Sequence, residues 1–428
     1  MARVRMAAAA GVPTAMTAVV QVLAFIAIAL DGIDMKFGSI DMNTERLLLP
    51  VIVMVLFVRI MAERKISFPN ATNFYALWVV TVVCSALLTG DLGAHMSGLL
   101  ISIAPFFYFL LFTQKGLSRE GLARVLERFL WAISISSILI YAIWWGTGRF
   151  SFMIDRDRIQ LTMTEPNILG AFIASLMMVH LAFFKWGTRH LTLHIVCATA
   201  LALTASKAPY IAYALALVFY LFRSGALRKA NALLLTWLIV FGLPLAGIVF
   251  SGSFADFYYT MLDRPDAIRN RMFALNIGWE RFLERPILGN GPLDFSLYNN
   301  SILSAMGTEN TRNMWIWQIW VALLHDEGVV GFTFFVAFII ASWKRGGRMV
   351  RRGNPEFIAI QAGALAVIIS SQVTTTHLAA MFGVTFGLLN APAFRWTSRL
   401  PTGSRPADHP QPQWRSTAPL GAARMQAR

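Results

Sequence analysis

Charged residues are scarce in this chain of 428 residues. They make up 14% of the sequence, against about 25% in soluble globular domains. Hydrophobic residues make up 57%, and the mean hydropathy is +0.58. So little charge excludes an ordinary soluble domain, whose surface needs polar groups. The composition therefore predicts a protein embedded in a lipid bilayer.

Cysteines are few, and the common cofactor motifs are missing. The two cysteines, Cys84 and Cys197, lie in apolar segments, so no extracellular disulfide framework is expected. The sequence has no Walker or Rossmann glycine pattern, and its histidines form no spaced set of metal ligands. We therefore expect no metal, no ATP or NAD chemistry and no cofactor.

Apolar runs are what the sequence has in abundance, and each is close to the roughly 20 residues with which a helix crosses a bilayer. A membrane β-barrel would instead show short segments of alternating polarity. The predicted fold class is therefore all-α, a polytopic integral membrane protein with about 12 transmembrane helices. The predicted spans are residues 14–31, 47–62, 73–89, 97–113, 129–146, 167–184, 191–205, 208–222, 231–250, 329–343, 357–373 and 378–393.

The net charge of +15 becomes informative once the charges are assigned to sides of the membrane. With both termini in the cytoplasm, most of the 37 lysines and arginines fall on the inner side, as the positive-inside rule requires. Their densest group, residues 344–352, fits contact with anionic lipid headgroups, so nucleic acid is not implied. We predict a transmembrane bundle over residues 1–396 and a disordered cytoplasmic tail over residues 397–428.

One long segment of the predicted topology lies outside the membrane, a large loop over residues 251–328, too long for a simple turn. Within it Ile268, Met272, Leu275, Trp279 and Phe282 recur at helical spacing. They predict an amphipathic helix that lies on the bundle through this apolar stripe.

The end of this loop runs without a clear boundary into the next span, and one continuous helix there would be too long for a single crossing. A break at Glu327-Gly328 is expected, after an interfacial helix that carries Trp315, Trp317 and Trp320. These tryptophans form either an interface belt or a surface on which sugars stack.

Cations on the outer side run against the positive-inside rule and need a reason. Arg158 either binds phosphate, for which its planar guanidinium is suited, or pairs with the neighbouring Asp155 and Asp157. Lys207 lies between two apolar runs with almost no loop. Its ammonium is therefore either at the outer interface or buried in the bundle.

Three segments, in order, resemble motifs of the O-antigen polymerase and ligase superfamily, the Wzy, WaaL and ExoQ type of bacterial membrane glycosyltransferase. The first is RIQLTMTEPNILGAF from Arg158, with the arginine followed by Pro-Asn at a helix start. The second is LTASKAPYIAYALAL, with Ser206 and Lys207. The third is RMFALNIGWERFLERPILGNGPLDF from Arg271, an arginine followed by a Pro- and Gly-rich turn.

The resemblance implies transfer of a growing glycan from undecaprenyl diphosphate to a sugar hydroxyl of another lipid-linked repeat unit, at the periplasmic face of the inner membrane. Arg158, Arg271 and Lys207 would then bind the diphosphate, in a protein most like an exopolysaccharide polymerase. A flippase and a chain-length regulator are the expected partners, besides the bilayer and the undecaprenyl-diphosphate-linked glycans.

A fourth family element differs, because Trp317 and Gln318 stand where ligases have His-Asn. This difference favours a polymerase over an O-antigen ligase, which stays an alternative. A glycan flippase or other transporter is a second alternative, since many transporters share this predicted topology.

The general base is the least defined part of the prediction. His325 and Asp326 are favoured by their position beside the expected helix break. Asp294, Glu165 and His377 are further candidates. Alternatively, His325 and Asp326 only cap and solvate the break around Gly328.

Overall fold

The computed structural model describes residues 2–30, 34–37, 40–63, 68–155, 158–163, 165–184, 187–225, 265–298, 316, 318–372, 374 and 379–392. Several predictions lie outside these residues: the span 231–250, most of the large loop, Trp315, Trp317, His377 and the tail 397–428.

The described chain is almost entirely helical, which confirms the all-α class. In chain order its elements are α1 (Ala2–Ala29), β1 (Asp34–Phe37), β2 (Ile40–Asn43), α2 (Thr44–Leu47), α3 (Leu49–Glu63), α4 (Asn70–Leu88), α5 (Leu92–Thr113), α6 (Arg119–Thr147), β3 (Ile154–Asp155), β4 (Arg158–Ile159), α7 (Pro166–His180), α8 (Thr188–Leu203), α9 (Lys207–Ser224), α10 (Pro265–Glu284), α11 (Ile319–Arg351), α12 (Glu356–Ser370) and α13 (Ala380–Asn390). The strands pair as two small antiparallel hairpins, β1 with β2 and β3 with β4.

Five helices among the described residues are long and apolar enough to cross a membrane. They are α4, α5, α6, α11 and α7, the last together with the short 3-10 turn that follows it to Phe183. The apolar helices α12 and α13 and the apolar part of α1 are shorter. Every predicted span that falls in the described residues is helical. The structure therefore supports a helical membrane protein with at least these candidate spans.

Aromatic rings fill the space between α4, α5, α11 and α13. Tyr75 stacks on Phe338 with ring centroids 4.2 Å apart, and Phe382 stacks on Phe386 at 4.4 Å. The helices approach closely where α13 carries Gly387, since a Cβ there would lie 2.6 Å from the Cβ of Phe112. Small residues at such contacts are typical of helix packing in membranes, where dispersion forces replace the hydrophobic effect.

Helix α11 breaks at Gly328, as the sequence predicts. Gly328 has φ 65° and ψ −169°, which no helix accommodates. In a continuous helix the N–H groups of Val329 and Val330 would donate to the carbonyls of His325 and Asp326. The break therefore leaves two donors and two acceptors in need of partners, and each would cost about 1 to 3 kcal/mol if buried without one.

The segment 286–291, which we call the glycine loop, supplies all four partners. The N–H groups of Asn290 and Gly291 donate to the two freed carbonyls over 2.8 and 3.0 Å. The carbonyls of Pro286 and Ile287 accept from the two freed N–H groups over 2.9 and 3.2 Å. The loop thus replaces the helical hydrogen bonds lost at the break and joins both sides of it.

Glycine is required on both sides of this junction. Gly289 has φ 75°, and a Cβ on it would collide with the carbonyl of Asp326. A Cβ on Gly328 would collide with the carbonyl of Ile287. Both positions combine left-handed backbone with a main-chain contact that leaves no room for a side chain.

The structure has a helix, α10, where the sequence predicts the amphipathic one, but only part of the predicted apolar stripe is buried. Met272 and Trp279 of that stripe are 52% and 47% exposed. The buried face consists of Ala274 and Gly278, together with Phe282 of the predicted stripe.

The reason is close packing of α10 against the start of α11. A Cβ on Gly278 would lie 2.6 Å from Cδ1 of Ile316 and 3.5 Å from Cγ1 of Val321. Small residues let the backbones of α10 and the start of α11 approach each other. The available space, rather than hydrophobicity, therefore determines which residues of α10 are buried there. Arg271 and Arg281 flank it and are half-buried, which brings both cations toward the bundle.

The junction at the broken helix can be tested with Gly328→Ala. We expect the free energy of unfolding to fall by about 2 to 4 kcal/mol, because left-handed strain and a main-chain collision add. The measurement is denaturant unfolding in detergent, followed by tryptophan fluorescence. The control is Gly353→Ala, at φ 84°, where an added Cβ would have no atom within 4 Å. This control should lose only about 1 to 2 kcal/mol. Equal losses would contradict the described junction.

Candidate functional site

Arg158 lies at the centre of a cluster drawn from three separate parts of the chain. Its Nε donates to the carbonyl of Thr204 over 2.9 Å. Its Nη2 donates to Oδ1 of Asn167 over 2.9 Å and to Oγ of Ser206 over 2.7 Å. Two of the resembling motifs therefore meet at one guanidinium group. The sequence offers aspartates as partners of Arg158 or phosphate as its ligand, and it gives no sign of these neutral acceptors.

Local structure explains how these residues meet. Arg158 is presented by the β3–β4 hairpin, in which Asp155 is its strand partner. α8 ends at Leu203, and the chain turns through Ala205 at φ 45° into α9. α7 packs close to α9, since a Cβ on Gly170 would lie 2.9 Å from Cγ of Pro209. The starts of α7 and α9 are thereby held side by side, and both ends carry partial positive charge.

Arg271 joins this cluster from α10. It is half-buried, and it interacts electrostatically with Glu165, the residue before α7. Burial lowers the pKa of the Arg271 guanidinium from its ordinary value, and the negative charge of Glu165 acts in the opposite direction. Glu165 and Asn167 are two residues apart, so Arg158 and Arg271 both lie around the start of α7. We call Arg158, Arg271 and their partners the arginine cluster.

Lys207 is the first residue of α9, directly after Ser206. It is exposed, so burial of its ammonium inside the bundle is excluded. Its position beside the arginine cluster adds a third cation to this region. Three cations and two helix starts form the kind of surface that binds phosphate groups.

A second cluster lies at the break in α11. Nδ1 of His325 is 2.6 Å from Oδ1 of Asp326. On its other side, Nε2 of His325 is 3.6 Å from Oδ2 of Asp294, too far for a hydrogen bond. Asp294 in turn accepts hydrogen bonds from Nε and Nη2 of Arg281 over 3.1 and 2.9 Å. We call these four residues the histidine cluster.

The glycine loop and its neighbours hold the histidine cluster in place. Nδ2 of Asn290 donates to the carbonyls of Arg281 and His325, over 2.9 and 3.3 Å. The N–H of Leu293 donates to Oδ2 of Asp326 over 3.3 Å. The hydroxyl of Ser85, near the end of α4, donates to the carbonyl of Asp326 over 2.7 Å. Side chains and main chain of three segments thus fix these groups.

The side chains of the histidine cluster differ in their exposure to solvent. The side chain of His325 is fully buried, whereas those of Asp294 and Asp326 are 17% and 16% exposed. A hydroxyl approaching from outside would therefore meet a carboxylate first. The carboxylates can accept its proton, and His325 between them can share it.

The two clusters lie along the same helix. Arg271 belongs to the first and Arg281 to the second, and ten residues of α10 separate them by about 15 Å. The predicted diphosphate residues are therefore together. Of the predicted base residues, His325, Asp326 and Asp294 form a separate group, whereas Glu165 lies in the arginine cluster. A substrate that uses both must extend along this helix.

Some contributing residues are absent from the sequence-based prediction of the site. Arg281 and Asn290 lie inside the third motif but are not singled out by it, and Ser85 lies in a predicted span. Gln318, where ligases have His-Asn, has a structural role, because its Oε1 caps α11 by accepting from the N–H of Val321 over 2.7 Å. Trp320, from the predicted interfacial helix, packs edge-on against Phe332 across the break.

Comparison with known proteins gives no further assignment. The chain matches no model of a known protein family. Its sequence also matches no curated protein. The resemblance to the polymerase and ligase superfamily therefore rests on the motifs themselves, two of which meet at Arg158.

Arg158 can be tested as the organising residue of the arginine cluster by Arg158→Lys. A lysine ammonium cannot reach three acceptors arranged for a planar fork. We expect the free energy of unfolding to fall by about 1.5 to 3 kcal/mol, measured by denaturant titration in detergent. The control is Arg149→Lys, an exposed arginine nine positions earlier in the same connection, which should be neutral. If the two variants are equally stable, Arg158 does not hold this cluster together.

Proposed function

We propose that this protein polymerises undecaprenyl-diphosphate-linked oligosaccharide repeat units into a bacterial exopolysaccharide or O-antigen. The supporting observation is the arginine cluster. Arg158 bonds to Asn167 and Ser206, and Arg271 interacts with Glu165 beside them. Cations from three distant segments gather at two helix starts, which is what recognition of a diphosphate requires.

The reaction needs the acceptor unit held in place and its hydroxyl deprotonated, and each task has a candidate cluster. The bond between the anomeric carbon of the donor glycan and the diphosphate oxygen breaks, and its electron pair leaves with the diphosphate. Arg158, Arg271 and Lys207 bind the diphosphate of the acceptor unit, which holds that unit in place while its hydroxyl reacts. The acceptor hydroxyl forms the new glycosidic bond and loses its proton to the pair of Asp326 and His325.

The spacing of the clusters fits an extended substrate. A lipid-linked repeat unit has its diphosphate at one end of the glycan and reactive hydroxyls further along. With about 15 Å between the clusters along α10, the acceptor's diphosphate and its reacting hydroxyl can be held at different points. In this arrangement at least one of the two lipid-linked substrates lies along α10.

The wider setting belongs to the same proposal. The protein would span the bacterial inner membrane about 12 times, with both termini cytoplasmic, the loop over residues 251–328 periplasmic and the site at the periplasmic face. A flippase would deliver the repeat units, and a chain-length regulator would act on the polymer. No nucleotide sugar enters the reaction, because the lipid diphosphate already activates the donor.

The diphosphate residues can be tested in a reconstituted reaction. Purified protein in lipid, given only undecaprenyl-diphosphate-linked repeat units, should produce a ladder of longer lipid-linked glycans. Arg158→Lys and Arg271→Lys should each lower the rate of ladder growth by about 100-fold, since a lysine loses the bidentate contact. Arg149→Lys serves as the control and should keep the wild-type rate.

Other outcomes of this experiment separate the alternatives. Full polymer output from both lysine variants would remove the arginines from the reaction. Movement of single units between leaflets without a ladder would make the protein a transporter. Transfer to lipid A core without a ladder would make it a ligase.

The proposed base, His325 and Asp326, can be tested in the same reaction. His325→Gln and Asp326→Asn should each lower turnover by about 100-fold or more, while binding of the lipid-linked unit stays at the wild-type level. The control is His190→Gln, at the start of α8 and outside both clusters. Turnover and binding are measured on the same preparations. Unchanged turnover in both variants would leave His325 and Asp326 as supports of the helix break.

A further inference from the structure

Glu327 is a buried carboxyl group that the steps above leave unused. Its residue is 2% exposed, and Oε2 has no hydrogen-bond partner among the described residues. It faces α4, where the indole of Trp78 lies beside it. The nearby hydroxyl groups of α4 are already engaged, Thr81 with the carbonyl of Trp78 and Ser85 with that of Asp326.

Packing alone does not account for a carboxyl group here. Gly331 leaves room for it, because a Cβ on Gly331 would collide with the Cβ of Glu327. An uncharged side chain of the same size would fill this space without the free-energy cost of burying a carboxyl oxygen that has no hydrogen-bond partner among the described residues. Ionisable groups within membrane helices are typical of proton and ion pathways.

The position of Glu327 connects it to the proposed base. The charge of Asp326 acts directly on Glu327, and Asp326 is 2.6 Å from Nδ1 of His325. Asp294 completes the row on the other side of His325. A row of titratable groups therefore leads from the partly exposed carboxylates of Asp294 and Asp326 to Glu327, which is buried inside the bundle.

We propose that Glu327 is the final proton acceptor of the glycosyl transfer. This inference rests on the proposed function. The acceptor O–H bond breaks as its oxygen bonds to the anomeric carbon, and the diphosphate leaves with the electron pair of the broken C–O bond. The proton passes to the pair of Asp326 and His325 and then to Glu327, which returns it to water after the product leaves. Glu327 does not touch the substrate and receives the proton through Asp326, so it is a positioning residue rather than a catalytic one.

The test compares Glu327→Gln and Glu327→Asp in the ladder assay from about pH 5 to pH 9. Glu327→Gln should lower the rate by about 100-fold, and the pH profile of its residual rate should be displaced from that of the wild type. Glu327→Asp should keep most of the rate, with its pH profile displaced. Binding of the lipid-linked unit should equal the wild type in both variants.

The matched control is Glu356→Gln, a second buried glutamate, 7% exposed, at the start of α12 beyond the far end of α11. It should keep the wild-type rate and pH profile. A wild-type rate and profile in Glu327→Gln, with a ladder still formed, would overturn this role alone. If the wild type forms no ladder, the proposed function fails, and this role fails with it. If Glu327→Gln does not fold, the undisplaced profile of Glu327→Asp is the overturning result.

Discussion

The exchange of main-chain hydrogen bonds between the glycine loop and the broken helix α11 is the contact on which the site depends. Four groups freed by the break are satisfied by Asn290, Gly291, Pro286 and Ile287. Without that exchange, each of these groups would be buried without a hydrogen bond, which would cost the folded state about 1 to 3 kcal/mol. The exchange fixes His325 and Asp326 at the end of the first segment of α11. It also brings Asp294, which follows the glycine loop in the chain, close to His325.

Helix α10 carries the effect of this junction to the arginine cluster. Its C-terminal part is held through Asn290, which binds the carbonyl of Arg281. Its middle packs on the start of α11 through Ala274 and Gly278. Its earlier part brings Arg271 to Glu165 and the start of α7. Because one rigid helix links these points, a disturbance at the break should also reach the arginine cluster.

The sequence predicts those features that depend on composition or on local chain geometry. Hydropathy predicts the helices, and an apolar run too long for one crossing predicts the break at Gly328. Hydrophobicity predicts Phe282 on the buried face of α10 but not Ala274 and Gly278, because these two are selected by the space left beside Ile316.

The candidate site likewise contains residues that the sequence indicates and residues that it does not. Motifs in the sequence indicate Arg158, Ser206 and Arg271, and the fold gathers them around α7. The bond from Arg281 to Asp294 and the burial of Glu327 depend on how the glycine loop enters the break, a long-range contact with no sequence pattern.

The most direct measurement is a cryo-EM structure with an undecaprenyl-diphosphate-linked repeat unit bound. We expect the diphosphate to contact Arg158 and Arg271, with the glycan running along α10 toward Asp294. Diphosphate bound away from both arginines would contradict the proposed site.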